Sequence, residues 1–261
     1  MQLQEFTTAN RASWNEAAGP HAQNIFEKLV FNFQTPGYSC LDRVAARLLQ
    51  QAGLDKTTSV AHLCCNNGRE LLSIKNMGAS TCVGFDISDE FIAQANHLKR
   101  ISAIDCKFVR TDIYDLPPAY YGQFDIVYVS VGTLGWMPDL EDFFQVAHHL
   151  LKEDGRFVIY EMHPILDMFE PDDYGNFPTL SHSYFRREPY VEQIDSVYAA
   201  YDKHAYYWFH HKLSDIFTAL LQNGLSLTSF EEYGHDVSGA FAHFEDLPVK
   251  PPLTYSVITH K

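Results

Sequence analysis

The chain has 261 residues, enough for one large α/β domain or for one domain with an insertion. Its composition is 46% hydrophobic and 14% aromatic, which supports a sizeable core and argues against wholesale disorder. The formal net charge of −14 argues against a nucleic acid as partner, because phosphate binding needs a basic surface.

Residues 1–35 predict a helical cap of one or two short helices, because Trp14 and several apolar residues stand in an otherwise polar stretch. A clearer amphipathic helix follows. We expect Ser39 to cap this helix and Gly53 to end it.

The stretch from Val60 to Ser88 predicts a βαβ unit. It contains a short apolar strand, a turn rich in Asn and Gly, a helix stopped by Gly78, and a second strand that ends on Asp86. The crossover of such a unit brings the turn and the carboxylate to the same edge of the sheet. Backbone N–H groups can approach a ligand there, and the carboxylate can accept hydrogen bonds from ribose hydroxyls. The spacing therefore predicts a site for an adenosine-containing ligand.

Strands at 105–110, 124–130 and 156–161 continue the alternation of strands and helices. The segment 164–210 then lacks a clear apolar period and is rich in aromatic and acidic residues, and a helix and two strands follow it. We therefore predict a doubly wound α/β fold with a seven-stranded, mostly parallel sheet and an antiparallel edge. The predicted single domain has four segments: the cap (1–35), the core (36–163), the insertion (164–210) and the C-terminal helix and strands (211–261).

The motifs in this frame resemble those of the class I S-adenosylmethionine-dependent methyltransferases, particularly the small-molecule group similar to ubiquinone-biosynthesis enzymes (methyltransferase type 11). Residues 60–68 occupy the place of the family's glycine motif. His62 stands where an acid is usual, and Cys64 and Asn66 stand where glycines are usual. Asn tolerates a positive φ better than most residues, whereas Cys64 places a side chain where the backbone should approach the methionine portion. Asp86 falls at the position of the ribose-binding acid.

The later motifs follow in the family's order. Asp112 and Ile113 fall at the adenine contact, strand 124–130 ends where the reacting methyl group lies, and 151–157 resembles the turn into the fifth strand. The resemblance implies a Rossmann-like fold that binds S-adenosyl-L-methionine and releases S-adenosyl-L-homocysteine. The cofactor-binding residues that it implies are Cys64, Asn66, Gly68, Asp86, Ile87, Asp112, Ile113 and Ser130.

The resemblance also implies a small-molecule acceptor. The Asn-Pro-Pro-Tyr-type motif of many DNA and RNA amino-methylating enzymes is absent after the fourth strand. Trp14, Trp136 and Tyr207 are the predicted acceptor contacts, and His163, at the end of the fifth strand, is the candidate base or orienting group. A hydrogen-bonded structural histidine is the alternative for His163. The aromatic cluster of the insertion is either a substrate cover or an ordinary mini-core; it comprises Tyr198, Tyr201, Tyr206, Tyr207, Trp208 and Phe209.

We predict no metal site. Cys64 and Cys65 are adjacent on a strand and point to opposite faces, and the adjacent histidines at 148–149 and 210–211 cannot chelate one ion easily. The five cysteines lack the spacing of a disulfide framework, and neither a signal-like N-terminus nor a run of 18 apolar residues occurs. These features predict a cytoplasmic protein without a membrane or nucleic-acid partner, as a monomer or homodimer.

The predicted function is methyl transfer to a small molecule. The alternative is a catalytically silent member of the fold that binds a ligand or regulates, which the altered glycine motif favours. A nicotinamide-dependent dehydrogenase would need a Gly-x-Gly-x-x-Gly fingerprint, which residues 64–69 do not supply. An RNA methyltransferase is disfavoured by the acidic charge.

Overall fold

A computed structural model of the chain describes residues 3–21, 25–170, 179–192 and 206–261. The helices are α1 (Leu3–His21), α2 (Glu27–Phe33), α3 (Arg43–Gln51), α4 (Arg69–Asn76), α5 (Asp89–Ser102), α6 (Leu140–Leu150) and α7 (Leu213–Gln222). The strands are β1 (Ser59–Leu63), β2 (Thr81–Asp86), β3 (Lys107–Arg110), β4 (Phe124–Val129), β5 (Leu151–Met162), β6 (Tyr190–Glu192), β7 (Tyr206–Trp208), β8 (Ser226–Tyr233) and β9 (Thr254–His260). Tyr198 and Tyr201 of the predicted aromatic cluster lie outside the described residues. Over the described ranges, no helix combines the length and the apolar character needed to cross a membrane.

Seven strands form one sheet in the order β3-β2-β1-β4-β5-β9-β8. Strands β1 to β5 pair in parallel, whereas β9 is antiparallel to both of its neighbours, β5 and β8. The predicted doubly wound sheet with an antiparallel edge is confirmed. The strand order reverses between β1 and β4, and the carboxyl ends of the strands at such a switch point form a crevice that suits ligand binding.

The central strands are buried on both faces, because alternate residues enter two different cores. In β1, Val60 packs in a cluster with residues of α2 to α5, whereas the next residue, Ala61, packs in a cluster with residues of α6 and α7. Continuous apolar strands such as β1 and β4 follow from this burial. The pattern also fixes the register, since a shift by one residue would exchange the two faces.

Short polar side chains fix the starts of several helices. Ser88 caps α5, with its hydroxyl accepting a backbone N–H of the first turn. The cap of α3 is Asp42, whose Oδ1 accepts the N–H of Ala45 at 2.7 Å. The prediction that Ser39 caps this helix is therefore wrong. Ser39 Oγ accepts the N–H of Leu41 instead and forms a turn just before the helix.

Helix α1 is joined to the aromatic insertion through strand β7. The Asn10 side chain donates from Nδ2 to the carbonyl of Tyr207 at 3.1 Å and accepts the Tyr207 N–H at 2.8 Å. One buried amide thus satisfies both backbone polar groups of a strand residue. The ring of Phe6 packs against Tyr207 beside this contact, with ring centroids 4.9 Å apart. The cap and the insertion therefore form one cover over the carboxyl edge of the sheet.

Gly68 precedes α4 at the end of the turn that follows β1. Its φ of 74° lies in the left-handed region, and a Cβ built on it would lie 2.4 Å from the ring of Phe108. Both the backbone conformation and the close packing require glycine at this position.

We expect Gly68→Ala to destabilise the protein more than Gly53→Ala. Gly53 is also left-handed, with a φ of 91°, but an added Cβ there meets no atom within 4 Å. Gly53→Ala should cost about 1–2 kcal/mol for the backbone conformation alone. Gly68→Ala should cost about 1–3 kcal/mol more, because the methyl group overlaps Phe108. Urea unfolding of the two variants measures the difference, and equal losses would show that the Phe108 ring moves aside freely.

Candidate functional site

A cavity of about 550 Å³ lies at the carboxyl edge of the parallel strands. Its wall includes Asp86 at the end of β2, Asn66 after β1, Asp112 after β3 and Ser130 after β4. Four neighbouring strand ends thus contribute polar residues to one space. The volume lies within the range of small-molecule sites, about 300–1,000 Å³.

The Asp86 carboxylate joins the turn after β1 to the end of β2. Its Oδ2 accepts the N–H of Asn66 at 2.7 Å, and its Oδ1 accepts the N–H of Ser88 at 2.9 Å. Burial raises the pKa of Asp86 to about 6, and the hydrogen bonds from Ser88 and Asn66 oppose that rise. Each carboxylate oxygen has a second acceptor position, so Asp86 can also accept hydrogen bonds from hydroxyl groups in the cavity.

The turn after β1 keeps a backbone shape that suits glycine, although two of its residues carry side chains. Cys64 has a φ of 55° and Asn66 a φ of 49°, both left-handed. The turn is pinned by hydrogen bonds from the Cys65 N–H to the Phe85 carbonyl and from the Gly68 N–H to the Cys65 carbonyl, each at 2.9 Å. Cys64 and Asn66 are among the residues that line the cavity, and Gly68 is not. The Gly68 N–H bonds within the turn, so the structure assigns Gly68 a role in shaping the turn, and its predicted cofactor contact stays a prediction.

Burial disfavours the ionised form of both thiols of this turn. Burial, followed by the charge of Asp86, raises the pKa values of Cys64 and Cys65 well above the ordinary range. Both side chains remain protonated at neutral pH and are poor nucleophiles or metal ligands. Within the described ranges, no group of three His, Cys, Asp or Glu side chains is arranged to hold a metal ion.

Asp112 and Ile113 follow β3 and line the same cavity, as does Ile87. Asp112 begins a short 3₁₀ turn, and its Oδ1 accepts the N–H of Tyr114 at 3.1 Å. Ile113 is buried and gives this end of the cavity an apolar surface. A carboxylate beside an apolar side chain can bind a flat heterocycle that carries an amino group.

A buried carboxylate also holds the loop that follows β4. Glu161, only 4% exposed, accepts the N–H groups of Gly132 at 2.6 Å, Leu134 at 3.0 Å and Met162 at 2.9 Å. Burial raises the pKa of Glu161 to about 7, and these hydrogen bonds oppose the rise. The loop carries Trp136 into the cavity wall, so Glu161 determines where that indole lies.

Four aromatic side chains line one part of the cavity, with Trp136 at their centre. The ring centroid of Trp136 lies 4.8 Å from Trp14, 5.1 Å from Tyr206 and 5.3 Å from Trp208. Neighbouring strand residues point in opposite directions, so Tyr206 and Trp208 face the cavity while Tyr207 faces α1. The structure thus does not place the predicted acceptor contact Tyr207 at the cavity, whereas its neighbours Tyr206 and Trp208 line the cavity.

His163 does not line the cavity. Its ring is buried, its Nδ1 accepts the N–H of Ile165 at 3.1 Å, and its Nε2 lies 3.2 Å from an oxygen of Glu232. The ring also packs edge-on against Tyr255. Burial lowers the pKa of His163, opposed by the charge of Glu232. This placement fits a structural histidine and does not support the predicted role as a base in this cavity.

The other polar residues that line the cavity include His62 on β1 and Arg69 and Glu70 in the first turn of α4, which the sequence motifs did not predict as site residues. Their positions in the βαβ unit could have indicated this place. The crossover that brings the turn after β1 to the sheet edge also brings the first turn of the next helix there.

Residues 61–159 match the family model described as "Methyltransferase domain". The match runs from β1 into β5 and covers less than half of the chain. A search among curated proteins finds no match.

Solved structures that share this fold include S-adenosylmethionine-dependent methyltransferases. A putative enzyme from Listeria monocytogenes is 18% identical with a TM-score of 0.62, over 83% of this chain and 99% of that chain. An enzyme from Mesorhizobium loti is 21% identical with a TM-score of 0.62, over 83% of this chain and 96% of that chain. Geranyl diphosphate C-methyltransferase from Streptomyces coelicolor A3(2) is 15% identical with a TM-score of 0.57, over 82% of this chain and 77% of that chain. That enzyme was solved with Mg²⁺, geranyl diphosphate and S-adenosyl-L-homocysteine.

The residues that match the family model and the cover contribute differently to the cavity. Asp86, Asp112 and Trp136 lie within the matched residues. Trp14 and Trp208, by contrast, lie outside them. The polar strand ends therefore belong to the part that the family model describes, whereas much of the aromatic wall is added by the cover.

The buried Asp86 should make the stability of the protein depend on pH. Its pKa rises from the ordinary value of 3.8 to about 6, so the folded state retains this proton at pH values where the unfolded state has lost it. The free energy of unfolding therefore falls as the pH rises from the ordinary pKa of 3.8 to the raised pKa of about 6. A pKa difference of this size corresponds to a fall of about 3 kcal/mol. We expect the free energy of unfolding of the wild type, relative to that of Asp86→Asn, to fall by about 2–3 kcal/mol between about pH 4 and pH 6.5.

Urea unfolding of both proteins across this pH range measures the relative stability. The comparison cancels the contribution of Glu161, whose titration is common to both proteins. A difference that stays constant, or that grows in favour of the wild type as the pH rises, would contradict a raised pKa for Asp86.

Proposed function

We propose that this chain is an S-adenosylmethionine-dependent methyltransferase that acts on a small-molecule acceptor. The observation that carries the proposal is the sequence of groups along the sheet edge. Asp112 after β3, Asp86 on β2, the turn after β1 and Ser130 after β4 follow one another in strand order, and the aromatic wall adjoins them. An extended ligand laid along this edge meets these groups one after another.

In this proposal, the cofactor lies across the ends of β3, β2 and β1. Asp112 and Ile113 hold the adenine, with Asp112 accepting hydrogen bonds from its amino group. Asp86 and the neighbouring Ile87 hold the ribose, since the second acceptor positions of the Asp86 oxygens are available to the two hydroxyls. The turn from Cys64 to Asn66 adjoins the sulfonium and methionine portions.

The acceptor lies against the wall formed by Trp14, Trp136, Tyr206 and Trp208. Two further lining residues near it are acidic: Asp167, paired with His210 at 2.8 Å, and Glu170, paired with His182 at 2.8 Å. Of the lining residues that the structure describes, the only Lys or Arg is Arg69, on the cofactor side. Aromatic faces and acidic groups favour a neutral or cationic acceptor over an anionic one.

S-adenosylmethionine supplies a methyl group that the sulfonium has already activated for in-line displacement. The protein then has to orient the acceptor and exclude water. The aromatic wall does both, because it covers the edge of the sheet with apolar surface. Positive charge passes from sulfur to the acceptor during transfer, and the indole faces remain favourable to it. Glu161 contributes by holding the loop that places Trp136.

We also propose that the chain acts in the cytoplasm as a monomer or homodimer. Free thiols at all five cysteines support a reducing compartment. The division into cap, core, insertion and C-terminal segment is likewise proposed, with the cap and insertion acting together through Asn10 and Tyr207.

Calorimetric titration with S-adenosylmethionine and S-adenosylhomocysteine tests the cofactor. We expect micromolar binding to the wild type and a loss of about a hundredfold or more in Asp86→Ala, since two ribose hydrogen bonds to a charged group are removed. Asp105→Ala is the matched control, because the Asp105 side chain is 94% exposed and lies outside the cavity wall. Absence of binding in folded wild-type protein would contradict the proposal. It would favour a member of the fold whose glycine turn, with Cys64 in place of glycine, no longer admits the cofactor.

A second comparison tests the acceptor wall. We expect Trp208→Ala to lower the rate of S-adenosylhomocysteine formation by about tenfold or more, because the acceptor loses an aromatic contact and gains access to water. Tyr207→Ala should retain the wild-type rate, since that side chain faces α1 and its contacts to Asn10 are made by the backbone. The reaction is measured with a metabolite extract freed of protein and nucleic acid, and the cofactor affinity of both variants should equal that of the wild type.

Equal losses in Trp208→Ala and Tyr207→Ala would contradict the assignment of this wall to the acceptor. Cofactor binding without turnover in every extract would instead support the silent alternative.

A further inference from the structure

The four rings of the aromatic wall are inclined to one another. The plane of Trp136 makes angles of 62° with Trp14, 50° with Tyr206 and 88° with Trp208. None of the three rings stacks face to face on Trp136, so the ring faces point in different directions, while all four side chains line one cavity. Inclined rings around a shared space suit a positively charged group, because the face of an aromatic ring is negative.

Trp208 is held in this wall by its neighbours. Its Nε1–H donates to Asp167 Oδ1 at 3.3 Å, and its six-membered ring packs so closely on Gly135 that a Cβ built there would lie 2.2 Å away. The N–H of the next residue, Phe209, donates to the Gly135 carbonyl at 2.7 Å. An indole that is already fixed in place loses little side-chain entropy when a ligand binds against it.

The carboxylates that line the cavity near this wall are Asp167 and Glu170. Asp167 Oδ2 lies 2.8 Å from His210 Nδ1, and Glu170 Oε1 lies 2.8 Å from His182 Nε2. His210 is buried and is not among the residues that line the cavity, so a ligand meets the Asp167 carboxylate rather than the imidazole. Among the lining residues that the structure describes, Arg69 is the only Lys or Arg, and it lies in the first turn of α4.

These features define the charge of a matching ligand. An alkylammonium group carries a positive charge and an apolar surface, and both are favourable against aromatic faces. The second acceptor position of each carboxylate oxygen can also accept an N–H of such a group. A neutral apolar group would gain nothing from the two carboxylates, and a carboxylate or phosphate group would be repelled by them.

We propose that the aromatic wall, with Asp167 and Glu170 beside it, is a subsite for an alkylammonium group, so that the methyl acceptor is a small molecule with a positively charged amine. The inference rests on the proposed function, which makes this wall the acceptor side of the cavity. It narrows the acceptor from neutral or cationic compounds to cationic ones.

Choline and 3,3-dimethylbutan-1-ol test the charge requirement. The two compounds have the same shape, and the quaternary nitrogen cation of choline is replaced by a carbon atom in the alcohol. Each is titrated calorimetrically into wild-type protein saturated with S-adenosylhomocysteine, so that the cofactor side is occupied. We expect choline to bind at least about tenfold more tightly than the alcohol.

Two variants separate the charge from the aromatic surface. Asp167→Asn removes one negative charge at nearly constant size, and it should weaken choline by about fivefold or more while leaving the alcohol within about twofold of the wild type. Trp208→Leu keeps an apolar side chain without a ring face and should weaken choline by about tenfold. Asp105→Asn is the matched control, because the Asp105 side chain is 94% exposed and lies outside the cavity wall. Thermal melting verifies that each variant is folded.

Equal affinity of the wild type for the two compounds, or no choline binding up to about 50 mM, would overturn the alkylammonium subsite while leaving the proposed function in place. Equal choline affinity in Asp167→Asn and Asp105→Asn would overturn the role of Asp167. Failure of the wild type to bind S-adenosylhomocysteine would overturn the proposed function instead. Selective binding of choline by the protein alone would in that case still support the subsite.

Discussion

The site depends on two buried carboxylates that bind backbone N–H groups at the carboxyl edge of the sheet. Loops that leave parallel strands have N–H groups without partners in the sheet, and burial without partners would destabilise them. Asp86 bonds to the loops after β1 and β2, and Glu161 bonds to the loop after β4 and to its own strand end. Both carboxylates have raised pKa values, because burial outweighs the hydrogen bonds. Their desolvation is the cost of holding three loops in fixed positions around one cavity.

The turn after β1 shows why the altered glycine motif does not exclude a ligand site. Cys64 and Asn66 both adopt the left-handed conformation that glycine adopts without strain. The sequence substitutions therefore change the side chains and the strain of this turn, while its backbone keeps the shape. The hydrogen bond from Asn66 N–H to Asp86 offsets part of the strain at one of the two positions. Cys64 adds a small apolar side chain to the wall, and the cofactor titration measures the effect of that side chain on affinity.

Local patterns predicted the parts of the site that lie close together in the sequence. The apolar strand, the turn and Asp86 form one βαβ unit, so their proximity follows from a single crossover. The roles of His163 and Tyr207 depended on contacts that no local pattern contains. His163 is enclosed because β8 and β9 bring Glu232 and Tyr255 beside β5. Tyr207 faces away because Asn10, 197 residues distant, fixes the orientation of β7. The sequence did not predict strand β7, whose alternation turns Tyr207 away from Tyr206 and Trp208.

The two sides of the cavity are built in different ways, and this difference has a consequence for specificity. The polar side comes from consecutive strand ends, whose positions the sheet fixes. The aromatic side comes from α1, the loop after β4 and strand β7, which meet through Trp136, the Asn10 amide and the packing of Phe6 on Tyr207. Substitutions in α1 or β7 can reshape the aromatic side without altering the hydrogen bonds of Asp86 or Glu161. The choice of acceptor can therefore change while the polar side keeps its geometry. This separation agrees with the positions of Trp14 and Trp208, which line the cavity but lie outside the residues that match the family model.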